Sequence, residues 1–300
     1  MLPGADAFRC ADRSAARGES QVATASRYRS WVLLEQPGPW GHDALVKSDL
    51  PLDVGTRLRA LGRRVGIRVL LIKRREPPRE GRRCFLIYSG ARERRIRSFE
   101  VQDPAVLLDL DLAAWAERRF DGVGEPVDGP LYLVCTHGKH DPCCARRGGP
   151  LYRALSALPN AWECTHIGGD RFAGNLVCFP HGLYFGRVGA DDGPRVARAY
   201  AEGQIELDFY RGDAAFPRPV QAAEHLVRTL HELRGVDDLV LVAHEHHGLR
   251  HRVEFDHAGS RHVVELEAGE LAPQLLTCKS ISPHPIRSFG GFELPPAHGV

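Results

Sequence analysis

Three hundred residues with 43% hydrophobic and 26% charged side chains describe one large or two medium globular domains. Such a core needs no metal merely to fold, and a formal net charge of +2 leaves no global field selecting nucleic acid or a membrane. No segment approaches the roughly twenty apolar residues of a membrane helix. The polar N-terminus lacks the apolar stretch of a secretory signal, so a reducing, cytoplasmic setting is expected. Eight cysteines there read as thiols or ligands rather than disulfides.

Residues 1–28, rich in Ala, Ser and Arg, read as a flexible N-terminus. An α/β region follows over 29–120. Ser30 to Glu35 reads as a buried strand, broken by Pro37-Gly38-Pro39-Trp40-Gly41. Apolar residues at 54, 58, 61 and 65 predict a helix, and Arg68 to Ile72 a strand. Cys84 to Tyr88 and Arg95 to Val101 are two more strands, and Pro104 to Arg118 a helix with proline near its start. The basic runs Lys73-Arg74-Arg75, Arg82-Arg83 and Arg92 to Arg97 read as solvated loops; a docking patch for an acidic redox partner is the less favoured reading.

After a Gly/Pro/Asp linker, residues 128–205 form the next unit. Leu131 to Cys135 is a strand ending on cysteine, Cys144 to Leu158 a helix, and Ala161 to His166 a strand ending on histidine. A hairpin spans Asn175 to Val188, and Pro194 to Glu202 is a helix. Strand, helix, strand, hairpin and helix fit a small thioredoxin-like layer. Residues 206–300 read as a C-terminal α+β extension: a helix over Pro219 to Arg234, strands at 239–244, 251–255 and 262–266, and an irregular tail from Cys278. No internal repeat stands out.

Chemistry concentrates in Cys135-Thr136-His137-Gly138-Lys139-His140-Asp141-Pro142-Cys143-Cys144 and in Cys164-Thr165-His166-Ile167-Gly168-Gly169-Asp170. Thiolates and imidazoles together suit zinc or an iron–sulfur cluster. Cys135 and His166 sit at the carboxyl ends of separate strands, where open α/β sheets bind ligands. Eight residues separate Cys135 from Cys144. A zinc knuckle has about two to four, so the spacing favours a cluster. Cys84 and Cys178 read as core. Cys143 reads as a buried neighbour, and Cys10 and Cys278 as free thiols in flexible ends. His137 and His140 read as loop-shaping residues or donors to cluster sulfur, and the histidines at 244, 246, 247 and 251 as a solvated strand end. Adjacent Cys143 and Cys144, without a Cys-x-x-Cys at a helix start, argue against thiol–disulfide exchange. The absence of a paired-carboxylate motif argues against sugar hydrolysis.

The run at 135–144 resembles the signature of the sucrase/ferredoxin-like family. So do Trp162 to Asn175, the Pro180-x-Gly182-x-Tyr184-x-Gly186-Arg187-Val188 pattern and Glu35 to Gly41. The resemblance spans roughly residues 10 to 205. It implies a thioredoxin-like ferredoxin whose [2Fe–2S] cluster is held by two cysteines and two histidines, the latter in a His-x-Gly-Gly-His motif. The cysteines match Cys135 and Cys144, and the first histidine matches His166. Asp170 stands where the second histidine is expected. A carboxylate is a hard ligand for a sulfide-bound iron. Asp170 itself, Cys164 (two residues from His166) and a group comprising Cys143, His137, His140 or an outside ligand remain open as the fourth donor; Asp170 could instead orient His166 or pair with Arg171. The expected function is electron transfer to an unidentified redox partner protein, without catalytic turnover. A zinc-binding structural module and a thiol–disulfide oxidoreductase are the alternatives.

Overall fold

The apolar runs become strands covered on both faces. The computed structural model describes residues 8–75, 80–120 and 122–295. In chain order it contains helix α1 (Cys10–Ala16), strand β1 (Ser30–Glu35), helices α2 (Ala44–Lys47) and α3 (Leu52–Val65), and strands β2 (Ile67–Lys73), β3 (Arg82–Ser89) and β4 (Arg94–Val101). Helix α4 (Leu112–Ala116), strands β5 (Glu125–Pro126) and β6 (Leu131–Cys135), helix α5 (Pro142–Leu155) and strands β7 (Ala161–Cys164), β8 (Leu176–Phe179) and β9 (Leu183–Phe185) follow. The chain then forms α6 (Gly193–Ala201), β10 (Tyr210–Asp213), α7 (Arg218–Leu230), β11 (Val240–His247), β12 (Arg250–His257), β13 (Ser260–Gln274) and β14 (His284–Glu293).

The fold is mixed α/β. One ten-stranded sheet has the order β10-β9-β8-β6-β7-β2-β1-β3-β4-β5, and a four-stranded sheet, β11-β12-β13-β14, forms the C-terminal extension. The large sheet contains the same topology twice. In the first half β1 and β2 are parallel, joined through α3, with β3 antiparallel to β1 and β4 antiparallel to β3. In the second half β6 and β7 are parallel, joined through α5, with β8 antiparallel to β6 and β9 to β8. The halves meet where β2 pairs antiparallel with β7, Ile72 opposite Cys164.

Period-two alternation sorts the side chains. Val32 and Leu34 pack under α3 and α4, and Tyr132 and Val134 pack under α5 and α6. The opposite face joins Trp31, Leu33, Ile72 and Phe85 of the first half to Leu133, Cys135, Trp162 and Cys164 of the second in one core.

Four details differ from the sequence reading. The helix expected over Pro104 to Arg118 is split into a 3-10 turn, Pro104–Leu108, and α4. The Asp111 carboxylate accepts the Ala114 N–H at 2.8 Å and starts a new helix there. The segment expected to be flexible carries α1 in its described part, with Cys10, Ala11 and Ser14 buried. Arg187 donates to Ser14 Oγ at 2.9 Å and to the Glu19 carbonyl at 2.7 Å, and Arg171 pairs with Glu19 at 2.6 Å, so polar anchors replace apolar ones. The tail expected to be irregular contains β14, an edge strand where Pro285 is tolerated. Finally, β10 extends the large sheet past residue 205 by pairing with β9.

Candidate metal centre

Strand β6 delivers Cys135 to its carboxyl end, in register with Cys164 on β7. The loop after it turns into α5, whose start is fixed by Asp141: its carboxylate accepts the Cys143 N–H at 2.8 Å, and Pro142 occupies the first turn. That start brings Cys144 back toward Cys135. Helix and strand approach so closely that a Cβ on Gly148 would lie 2.0 Å from the Cys135 carbonyl oxygen. Beyond β7, Gly168 and Gly169 take φ values of +100° and +81°, a turn that returns Asp170 to His166.

The ligand atoms of Cys135, Cys144 and His166 lie within 4.8 Å of one another. Asp170 joins them. Cys144 Sγ donates to its Oδ1 at 3.1 Å, and His166 Nδ1 lies 2.9 Å from the same oxygen. His140 stacks on the His166 ring at 3.8 Å, with its Nε2 3.7 Å from Asp170 Oδ2. Both cysteines and Asp170 are buried, whereas the His166 and His140 side chains keep 24% and 32% exposure. The site has a buried sulfur side and an imidazole side open to a groove lined by His42, Arg68 and His137.

The groups polarise one another. The Cys144 hydrogen bond, helped by His166, holds the Cys135 thiol well below its usual pKa despite burial, and the same contact pushes Cys144 up. Burial works against His166 cation formation, but Asp170 and Cys135 outweigh it and raise the ring to about 9. Burial also opposes the Asp170 carboxylate, yet His166 and Cys144 hold it below the ordinary value. Without a bound ion, these shifts favour the charged forms of Cys135, His166 and Asp170.

The donor set fits a bound metal group. Two thiols and an imidazole converge from three elements, and the imidazole Nδ1 lies 2.9 Å from the buried Asp170 carboxylate. Cys164 lies in the apolar core, outside that ligand group. Cys143 faces away, toward Cys10 and Cys278, so these two are neither isolated nor in loose ends. His137 positions backbone: its Nε2 meets the Gly41 carbonyl at 2.7 Å and its Nδ1 accepts the His166 N–H at 3.4 Å. Cys84 and Cys178 are core. His244 and His251 contact each other at 3.2 Å on the C-terminal sheet.

Two supports escaped the sequence reading. Arg211, buried on β10, donates to the Gly168 carbonyl at 3.1 Å, to Asn175 Oδ1 at 2.7 Å and to the Thr24 carbonyl at 2.7 Å. A Cβ on Gly169 would meet its guanidinium at 2.4 Å. Arg68, at the start of β2, donates to the His166 carbonyl at 2.7 Å. An isolated arginine outside any motif carries no signal of such a role.

Strand order and site together define a thioredoxin-like α/β protein with a thiol–imidazole site at the carboxyl ends of adjacent strands. The sucrase/ferredoxin-like family model matches residues 22–212, and the chain belongs to that family. It is 31% identical over 101 residues to altered inheritance of mitochondria protein 32 of Meyerozyma guilliermondii, covering 29% of this chain and 36% of that protein. It is 30% identical over 110 residues to the protein of the same name from Eremothecium gossypii, covering 31% of this chain and 35% of that protein. The chain thus matches about a third of the length of these relatives. Among solved structures, a variant of the thioredoxin-like [2Fe–2S] ferredoxin from Aquifex aeolicus is similar over 27% of this chain and 96% of that one, with 14% identity and a TM-score of 0.24. No helix among the described residues is long and apolar enough to cross a membrane.

Proposed function

We propose that this chain is an electron-transfer protein that binds a [2Fe–2S] cluster through Cys135, Cys144, His166 and Asp170, and passes electrons to a partner protein. The observation that carries it is the convergence of two buried thiols and a rim imidazole in a member of this family. When bound, such a cluster supplies one-electron transfer at a potential set by ligand charge, hydrogen bonds and exposure. The chain's residues do the rest. Cys135 and Cys144 exclude water on the sulfur side. His166, with His140 stacked on it, forms the exposed edge that a partner would meet. Asp170 adds negative charge where the family motif carries a neutral imidazole, which lowers the potential relative to those relatives.

One observation favours a second reading. Three donor atoms within 4.8 Å of one another also suit a single zinc ion. Thiol–disulfide exchange is less supported, because Cys135 and Cys144 are both buried from a substrate disulfide.

Anaerobically purified protein should be red-brown, with about two irons and two sulfides per chain and a rhombic EPR signal on reduction. A colourless protein that takes up zinc but no iron on reconstitution would establish the zinc reading instead.

A further inference from the structure

Three cysteines from distant parts of the chain meet at one point. Cys10 opens α1, Cys143 lies in the first turn of α5, and Cys278 lies between β13 and β14. Cys143 Sγ is 3.4 Å from Cys278 Sγ, and Cys278 Sγ is 3.6 Å from Cys10 Sγ. The fourth side is closed by the Asp141 carboxylate, whose oxygens lie 3.8 and 3.7 Å from Cys10 Sγ. All four residues offer ligand atoms within 4.8 Å of one another, and Cys10, Asp141 and Cys143 are buried. The carboxylate is held in place by backbone: the Cys143 N–H donates to Oδ1 at 2.8 Å and the Cys278 N–H to Oδ2 at 2.7 Å. Each oxygen retains a lone pair for a further partner.

We infer that Cys10, Asp141, Cys143 and Cys278 form a structural zinc site, separate from the centre at Cys135, that ties α1 and the C-terminal segment to the start of α5. The dimensions argue for one tetrahedral ion. Zinc–sulfur bonds of about 2.3 Å at the tetrahedral angle separate two sulfurs by about 3.8 Å, and a sulfur from a carboxylate oxygen by about 3.5 Å. The spacings here fall within a few tenths of an ångström of both. Three thiolates and a carboxylate select zinc over hard cations, and the hard oxygen disfavours copper(I). A disulfide would use two of the three sulfurs and leave the third thiol stranded against them. Plain packing of thiols as small apolar groups explains the contact with Ala11 and Ala173, and two backbone N–H groups account for the buried Asp141 carboxylate; neither explains why three sulfurs from distant segments meet beside that carboxylate. On binding, the three thiols release their protons to solvent and the ion offsets the negative charge that burial makes costly; no electron is transferred.

The site has a structural consequence. Cys143 precedes Cys144, so an ion on Cys143 fixes the helix turn that presents Cys144 to Cys135. Both ends of the fold, 268 residues apart at Cys10 and Cys278, would be clamped to that turn.

The test measures zinc and iron together on full-length protein prepared under reducing conditions with both metals supplied. Wild type should hold about one zinc per chain in addition to its iron. The double variant Cys135→Ser/Cys144→Ser should lose iron and keep that zinc. Cys10→Ser and Cys278→Ser should each lower zinc at least about tenfold. Cobalt(II) added to metal-free Cys135→Ser/Cys144→Ser protein, which lacks the other thiol centre, should give the strong visible bands of tetrahedral cobalt thiolate, absent once Cys278→Ser is added. The bands of the Cys135→Ser/Cys144→Ser protein read the site even if a Cys278→Ser protein misfolds, and their absence there overturns the inference. Zinc unchanged in both single variants overturns the inference, as does a cobalt spectrum unaltered by Cys278→Ser. Peptide mapping that finds a disulfide between any two of the three cysteines in the reduced, zinc-supplied protein overturns it too.

Discussion

Asp170 is the residue on which the chemistry of the centre turns. It is 4% exposed at its side chain and touches both Cys144 and His166. Its place in the turn after Gly168-Gly169 corresponds to the second histidine of the motif that the sequence resembles, and it is the fourth ligand in our proposal. Asp170→His should therefore raise the reduction potential, by on the order of 100 mV, since an anionic donor gives way to a neutral one. A titrated midpoint unchanged by Asp170→His would show that residue 170 does not ligate. Arg211 acts at one remove. It satisfies the Gly168 and Thr24 carbonyls and Asn175 from a fully buried position. Arg211→Met would strand those acceptors, costing roughly 2 kcal/mol or more by the usual penalty for unsatisfied buried groups. We expect a lower Tm together with faster loss of bound iron to a chelator. A lower Tm with iron retention unchanged would confine Arg211 to stability.

At the scale of elements, the β8–β9 turn holds a titratable group remote from the metal centre. His181 accepts at Nδ1 from Tyr200 Oη at 2.7 Å and lies near Asp237 and Arg94. Burial, reinforced by the Arg94 charge and opposed by Asp237, lowers its pKa to about 4. Between the unfolded value near 6.5 and about 4, the unfolded chain binds a proton that the native chain refuses. The stability from neutral His181 is complete above that window and is lost as pH falls through it, by at most about 3 kcal/mol at roughly 1.4 kcal/mol per pKa unit. His181→Asn keeps an acceptor for Tyr200 and cannot titrate. Urea melts from pH 7 to 4 should show a shallower acid loss in the variant than in wild type, and parallel curves would rule His181 out.

Elements with their own periodicity were legible in the sequence. β1, β2, β3 and β6 fall where continuous apolar runs lie, and α3 where the period is 3.6. The convergence of Cys135, Cys144 and His166 was legible because strand ends and a helix start position them. Strand β14 was not, because its Pro- and Gly-bearing sequence has no continuous apolar run and takes its order from pairing with the preceding strand β13; helix α1 was not, because the segment around it is held by partners far along the chain, Arg171 and Arg187. The cluster of Cys10, Cys143 and Cys278 is the same case, since no local spacing records a contact across 268 residues.

Over the whole molecule, the doubled topology explains why the centre needs a half of the sheet that bears none of its candidate ligands. The sequence shows each strand–helix–strand order separately and no internal repeat of residues, so the doubling is visible only in the strand pairing. The first half supplies β2 along the free edge of β7, gives Arg68 to the His166 carbonyl and Gly41 to His137, and covers Trp162 and Cys164 with Trp31, Leu33 and Ile72. Residues 122–295 expressed alone would expose the β7 edge and that apolar face, where each uncovered large side chain forfeits about 1.5–3 kcal/mol. An unpaired edge strand recruits another strand. Because β2 meets β7 antiparallel, a second copy of β7 presents the same geometry, and the pairing closes as a two-fold dimer. We therefore expect the fragment to dimerise or aggregate in size-exclusion chromatography with light scattering, and to hold much less iron than the full chain. A monomeric fragment with full iron content would show instead that the second half builds the centre without the first.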